Sequence, residues 1–294
     1  MAFLDHIHLC NSWTPEGFRP FLIGGQQVGW VREDMAARLR TAPDVFEITA
    51  RAVSLNPALN TPESRTEAVG AVMRTLHARG EGPRLRGEMF PVRTRWSMPD
   101  LMRMDRGVTA VFGIRAFGVH LNGIVRRPPS APDRSGLSLW IGTRAADKAV
   151  APGKLDNLVA GGQPAHLSLA DNLIKEAEEE AGLAAALTRT ARSTGVITYS
   201  MADRWGVKHD TLYIYDLEIP EEIIPVNTDG EVSGFTLMPV ESVLDLVRSG
   251  DAFKFNVALV LIDFGIRHGL ITPDQEPDFD TLATGLRAAH HGLG

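Results

Sequence analysis

Residues Gly161 to Leu183 read GGQPAHLSLADNLIKEAEEEAGL, and the fold follows from how this stretch is read. Ser168 and Asp171 stand three apart, the spacing at which a hydroxyl and an acidic side chain cap a helix N-terminus. This spacing predicts a helix beginning near Leu169 and ending at Gly182, where glycine supplies a left-handed stop. At about 100° per residue, Glu176, Glu179 and Glu180 share one face, while Ala170, Ile174, Ala177 and Ala181 lie roughly opposite. Carboxylates at i, i+3 and i+4 repel one another, at a cost of roughly 0.2–0.5 kcal/mol per pair. A hard divalent cation would offset that repulsion, because Mg²⁺ takes oxygen ligands from carboxylates and substrate phosphates. A solvated glutamate-rich face is the other reading, and the carboxylates alone do not choose between the two.

The same stretch resembles the Nudix box, G-x5-E-x7-R-E-U-x-E-E-x-G-U with U aliphatic. Gly161, Glu176, Glu179, Glu180, Gly182 and Leu183 match without a gap, and Ala177 fills the first aliphatic position. Leu167 stands where the pattern has its first glutamate, and Lys175 replaces the arginine. Lysine keeps the charge but lacks the planar fork that grips a carboxylate through two bonds. Working outward, the likeness continues through LWIGTRAADKAVAPGKLDNLVAGG (Leu139 to Gly162), LYIYDLEIP (Leu212 to Pro220), DGEVSGF (Asp229 to Phe235) and FKFNVALVLIDFGIRHG (Phe253 to Gly269). Together with HLCNSWTPEGFRPFLIGGQQVGWV and FGIRAFGVHLNGIV, these phrases resemble the thiamine pyrophosphokinase-related Nudix branch, which carries an extra N-terminal domain.

That resemblance implies an α/β fold: a Nudix α/β/α sandwich with a mixed sheet, preceded by a small α+β domain. It implies a hydrolase of phosphorus-containing acid anhydrides that uses Mg²⁺ or Mn²⁺. The expected reaction cleaves the diphosphate of a nucleoside-diphosphate-like or thiamine-diphosphate-like compound to a monophosphate. An ADP-ribose or NADH-type pyrophosphatase is the rival substrate reading, and a catalytically weak ligand sensor or interaction protein, suggested by Leu167 and Lys175, is the rival class. By the same likeness Glu176, Glu179 and Glu180 are metal ligands, with Glu179 and Glu180 also in the catalytic set. Glu231 ranks first as general base, ahead of Asp229 and Asp210. Gly161 and Gly162 shape the loop, and Arg144 and Lys148 are expected to bind phosphates. Asp229–Gly230 also reads as a plain turn with Glu231 an exposed strand residue, and the two cations as solvated loop charges. Nudix enzymes are commonly dimeric, which makes a homodimer an expectation. Kinase chemistry is not implied, since Gly153–Lys154 is followed by Leu155 and no G-x-x-x-x-G-K-[ST] loop occurs.

The rest of the 294-residue chain narrows the setting. With 44% hydrophobic and 22% charged residues it can bury a real core. Its formal charge of −6 lacks the basic excess that phosphate-backbone binding needs, so nucleic acid is not expected as a partner. The single cysteine, Cys10, cannot make an internal disulfide, which points to a reducing, cytoplasmic setting. Met1 to His6 lacks a basic start and apolar run, and Phe255 to Ile266 is too short and too interrupted to span a bilayer.

Further outward, Arg19 to Val31 reads as strand, Gly24–Gly25 turn and strand, Asp34 to Arg40 as a short helix, and Phe46 to Leu55 as one strand. Thr61-Pro62-Glu63 opens a helix that stops near Gly80. The Met- and Arg-rich stretch from Arg93 to Arg106 has no clear period, so the division is placed there, giving 1–105 and 106–294. Thr109 to Ile114, Phe117 to Val125, Leu137 to Thr143, Gly195 to Ser200, Thr211 to Ile219 and Val232 to Met238 read as strands. A loop with Pro128, Pro129 and Pro132 spans Arg126 to Gly136, and helices follow at Val240 to Val247 and Phe255 to Arg267. His120 reads as a satisfied core histidine, Tyr199, Arg204 and Trp205 as packed or ring-stacking residues, and His290–His291 as the end of a weakly specified tail.

Overall fold

The computed structural model describes residues 2–129 and 135–293; Pro132 and its immediate neighbours in the expected loop lie outside them. The chain opens with helix α1 (Phe3–Cys10) and a hairpin of β1 (Phe18–Ile23) and β2 (Gln26–Arg32). Gly24 and Gly25 both have positive φ, 58° and 80°, as a primed hairpin turn requires. Next come α2 (Glu33–Leu39), β3 (Phe46–Ile48) and β4 (Val53–Leu55). The single strand expected over 46–55 is therefore a hairpin. Thr49 makes the difference: its hydroxyl accepts from the N–H of Arg51 and Ala52 and turns the chain back on itself. Helix α3 (Pro62–Ala78) has the expected cap, with Thr61 accepting from the Ser64 N–H. A two-stranded ribbon of β5 (Met89–Val92) and β6 (Met102–Asp105) follows.

A 3₁₀ turn (Arg106–Val108) and α4 (Thr109–Phe112) occupy the segment read as a strand at Thr109 to Ile114. The residue types favour β structure, but a strand would send Val111 and Phe112 to opposite faces. A helical turn aims Val108, Val111 and Phe112 into one core with Phe21, Phe46, Met73 and Met104. Asp105 fixes the turn by accepting from the N–H groups of Arg86, Gly87 and Gly107, and Gly113 ends it in the left-handed region. The Phe112 ring lies 4.9 Å from Phe21 and stacks on Phe46 at 5.9 Å. Phe112→Ala is expected to lower unfolding free energy by about 3–5 kcal/mol, read by urea denaturation. A loss below about 1 kcal/mol would mean that the ring is not a core element.

The larger sheet is built from β7 (Arg115–Arg126), β8 (Leu137–Arg144), β9 (Leu155–Asp156) and β10 (Val159–Gly162). Helices α5 (Leu169–Ala181) and α6 (Ala185–Thr188) precede the long hairpin of β11 (Arg192–Asp203) and β12 (Gly206–Glu218). Strand β13 (Val232–Pro239) and helices α7 (Val240–Ser249), α8 (Phe255–Arg267) and α9 (Phe279–Gly285) complete the chain. The order is β11-β12-β7-β8-β13, with β12 parallel to β7 and the other pairs antiparallel, which is the expected mixed sheet. One face packs on α1, α7 and α8, and the other on α5 through Val119, Leu121, Leu173 and Ala177, giving the α/β/α sandwich.

Strand β7 pairs with β8 only from Gly123 onward; its earlier residues Gly118 to Leu121 pair with β10, while the far end of β8 pairs with β9. The two central strands therefore splay, and residues 155–162 fill the opening. Asn157 pins that insertion, donating to Asn122 Oδ1 at 2.9 Å while its own Oδ1 meets His120 Nδ1 at 2.8 Å.

The tail is more ordered than its composition suggests. Leu282 and Leu286 are buried, the Thr198 hydroxyl donates to the Ala288 carbonyl, and His290 is 5% exposed between Ser200 and Thr211. His290 thus does not dangle: it partners the Thr211 hydroxyl and shares the Ser200 hydroxyl with His209. Among the described residues no helix is long and apolar enough to cross a membrane.

Candidate active site

Helix α5 begins as its sequence dictates: Ser168 accepts from the Asp171 N–H at 3.1 Å, and Gly182 closes it with φ 64°. Glu176, Glu179 and Glu180, expected on one face opposite the alanines, are divided by packing. On a helical wheel Glu180 stands about 20° from Leu173, inside the sector that Leu173, Ala177 and Ala181 bury. Glu180 is therefore 7% exposed, Glu176 lies on the flank, and Glu179 points out to solvent. Ala170, placed on the inner face by the sequence pattern, is exposed in the first turn of α5.

Glu180 Oε2 accepts one hydrogen bond, from the Ala160 N–H at 3.0 Å. Burial pushes its carboxyl up to about 8 against that bond, and the charges of Glu176, Asp156 and Glu231 push the same way. Burial raises Glu176 too, with Lys175 opposing. Lys175 Nζ lies 3.2 Å from Glu176 and 2.6 Å from Glu179, so one ammonium spans both carboxylates where the box has an arginine. A Cβ on Gly161 would stand 2.5 Å from Cγ and Cδ of Glu176, which explains the glycine: only bare backbone lets that carboxylate sit there. Its neighbour Gly162 faces the other way, where a Cβ would meet Phe90 Cζ at 2.5 Å.

On the Phe90 side opens a cavity of about 260 Å³. Five cations line it, Arg106, Arg144, Lys148, Lys208 and Lys254, against the acids Asp210 and Glu231. Arg144 is tied down, donating to Asp156 at 2.6 Å and to the carbonyls of Val150 and Ala151. Lys254 Nζ is 3.7 Å from the same Asp156 oxygen. Lys148 forms an ion pair with Glu231. Asp229 uses Oδ1 to accept from the Glu231 N–H, so it builds the turn that presents Glu231. Asp210 lies deeper, bonded to Tyr199. Trp205 and Arg204 are elsewhere: Trp205 packs on the N-terminal core with the guanidinium 5.2 Å above it.

The sequence reading did not single out Asp156, Lys208, Lys254, Asn256 or Phe90. Asp156 and Asn157 sit in the LDNLVAGG phrase, and Lys254 and Asn256 are polar positions opening an apolar helix; those were the available signals. Phe90 carried none, because its role depends on a contact between distant segments.

Among the described residues no three His, Cys, Asp or Glu side chains form a ready metal-binding group. Glu176 and Glu180 nevertheless offer hard oxygen donors, and the excess of acid around Glu180 is what a divalent cation would neutralise. The donor set therefore fits such an ion.

Three of the buried histidines, His120, His209 and His290, weaken the fold in acid. Burial lowers His120 to about 4, and His209 and His290 to about 3. Each is below its ordinary 6.5, so the unfolded chain binds more protons in acid; their stabilisation is complete above pH 6.5 and is lost as pH falls through 4 and 3. His290→Asn, neutral throughout, is expected to give a shallower fall in melting temperature between pH 6.5 and 4. An unchanged slope would show that His290 is already protonated in the fold.

Compared with known families, residues 131–257 match the NUDIX domain, and residues 2–116 match a domain of unknown function, DUF4743. Nudix hydrolase 24, chloroplastic, of Arabidopsis thaliana is 40% identical over 97% of this chain and 78% of its own length. Nudix hydrolase 20, chloroplastic, of the same plant is 39% identical over 95% and 76%. Among solved structures, DR0079 of Deinococcus radiodurans superposes with a TM-score of 0.44 at 20% identity, covering 59% of this chain and 96% of that one.

Proposed function

This chain belongs to the Nudix hydrolases, enzymes that act on diphosphates, and from that premise we propose that it cleaves, with Mg²⁺ or Mn²⁺, the diphosphate of a thiamine-diphosphate-like or nucleoside-diphosphate-like compound to a monophosphate. One observation carries the proposal. The buried carboxylate of Glu180 stands behind the same Ala160–Gly162 strand that walls a cation-lined cavity. The thiamine-related substrate class is supported by sequence resemblance over nearly the whole chain.

In this reading Glu176 and Glu180 hold the divalent ion, with Glu179 and Lys175 at its edge. Such an ion, when bound, screens phosphoryl charge and acidifies a water. The protein supplies position and counter-charge. Lys208, Lys254 and Arg106 draw the diphosphate oxygens into the cavity, and Arg144 keeps the 144–151 loop closed on Asp156. A phosphate oxygen that engages Lys148 frees Glu231 from its ion pair, so that Glu231 takes the proton of the attacking water. The water oxygen bonds to phosphorus, the bridging P–O bond breaks, and the leaving phosphate departs with its electron pair. A reducing compartment, the cytoplasm in the first instance, suits a chain whose one thiol is buried and pushed up to about 12 by burial.

Glu231→Gln tests the base assignment. The expected result is a fall in kcat of about a hundredfold with KM little changed. An unchanged kcat would return the role to Asp210.

A further inference from the structure

The deep end of the cavity holds a polar cluster that phosphate chemistry does not use. Tyr199 and Asp210 are direct neighbours across β11 and β12, and Asn256 reaches them from the first turn of α8. The Tyr199 hydroxyl donates to Asp210 Oδ2, so it must accept the 3.3 Å bond from Asn256 Nδ2. That orientation turns Asn256 Oδ1 away from Tyr199. Asn256 is 95% buried, and among the described residues its Oδ1 has no hydrogen-bond partner. Among the described residues Asp210 makes no other side-chain hydrogen bond, so its second oxygen is an open acceptor as well. A buried acceptor left unpaired costs about 1–3 kcal/mol unless a ligand or water satisfies it.

The surroundings say what shape such a ligand has. Sheet register places Ala116 beside Asp210 and Gly118 beside both Leu212 and Gly162. The floor is thus made of residues with little or no side chain, while Phe90, Leu212 and Phe255 form apolar walls. That space suits a flat ring. The cations lie next to this cluster: Asp210 feels Lys208 and Lys254, and Lys254 Nζ is 3.7 Å from Asp156. A molecule with its phosphates among the lysines would therefore place its organic group on Asp210 and Asn256.

We propose that Asn256 Oδ1 and Asp210 form the subsite for the organic group of the substrate, and that this group is a planar, amino-substituted N-heterocycle whose exocyclic NH₂ gives one N–H to each acceptor. The proposal rests on the diphosphatase reading of the same cavity, but its test does not need turnover. Binding of three phosphate-free probes, 4-aminopyrimidine, 4-pyrimidinone and pyrimidine, is measured by ligand-observed NMR on wild-type protein and on Glu180→Gln. The amino compound is expected to bind at least about tenfold more tightly than either other probe on both proteins. Asn256→Leu, which keeps volume but has no acceptor, is expected to erase the preference; Asn256→Asp, which keeps it, is expected to retain it. Equal affinities, tighter binding of the pyrimidinone, or displacement by ribose in place of the amino ring would overturn the proposal. If diphosphates turn over and the amino preference is missing, the subsite assignment alone fails. If the preference holds and no diphosphate is cleaved, the hydrolase reading alone fails.

Discussion

Glu180→Gln is expected to lower kcat/KM for diphosphate hydrolysis about a thousandfold and, at pH 8 without divalent ions, to make the protein more heat-stable than the wild type. Both effects come from one carboxylate. Gln keeps the oxygen that accepts the Ala160 N–H, so the contact between α5 and β10 survives. What it removes is a charge that burial disfavours. Glu180 titrates at about 8 in the fold against an ordinary 4.5, so the folded chain holds its proton more tightly than the unfolded one. The stability from this group is complete below about pH 4.5 and is lost as pH rises through 8. Wild type and variant should therefore melt together at pH 4.5 and diverge toward pH 8. Divalent ion reverses the order at pH 8 by binding the wild type alone. A variant that melts lower than wild type at pH 8 in chelator would show that the carboxylate is stabilising as an anion, contrary to its placement.

Gly161→Ala is expected to reduce activity about a hundredfold while shifting unfolding free energy by less than about 1 kcal/mol. The added methyl would stand 2.5 Å from Cδ of Glu176, so that side chain must swing away. The backbone has no objection, since Gly161 does not adopt a positive φ. Loss of function with retained stability isolates the position of Glu176 from the integrity of the fold. Combining Gly161→Ala with Glu176→Gln is expected to cost little more than either change alone, because both remove the same placed carboxylate. Multiplicative losses would mean that Gly161 acts through the loop and not through Glu176.

How far the sequence could be read depended on whether a signal was local. Ser168 with Asp171 marks the start of α5 and Gly182 its stop, and Thr61-Pro62 marks the start of α3, each a local signal; both helices were legible. The box identified the glutamates, but their shares of the work were not legible, because a difference of about 40° on a wheel decides whether Glu176 or Glu180 is the buried one. Thr109 to Ile114 misled because β-branched residues favour strands, whereas a distant aromatic pair, Phe21 and Phe46, claims Phe112 for a helical turn. His290 was misread for a similar reason: its partners Ser200 and Thr211 lie about eighty to ninety residues away in sequence. Lys208, Lys254 and Asn256 converge only once β12 and α8 meet over the sheet.

The most direct test of the central claim is ³¹P NMR of wild-type protein and Glu180→Gln incubated with thiamine diphosphate, its oxidised forms, ADP-ribose and NADH, each with Mg²⁺, with Mn²⁺ and with chelator. The expected result is a monophosphate and its co-product from one class of compound, formed by wild type with divalent ion and lost in chelator or in the variant. Binding of these compounds with no phosphorus-containing product under any condition would contradict it and leave a ligand sensor in its place.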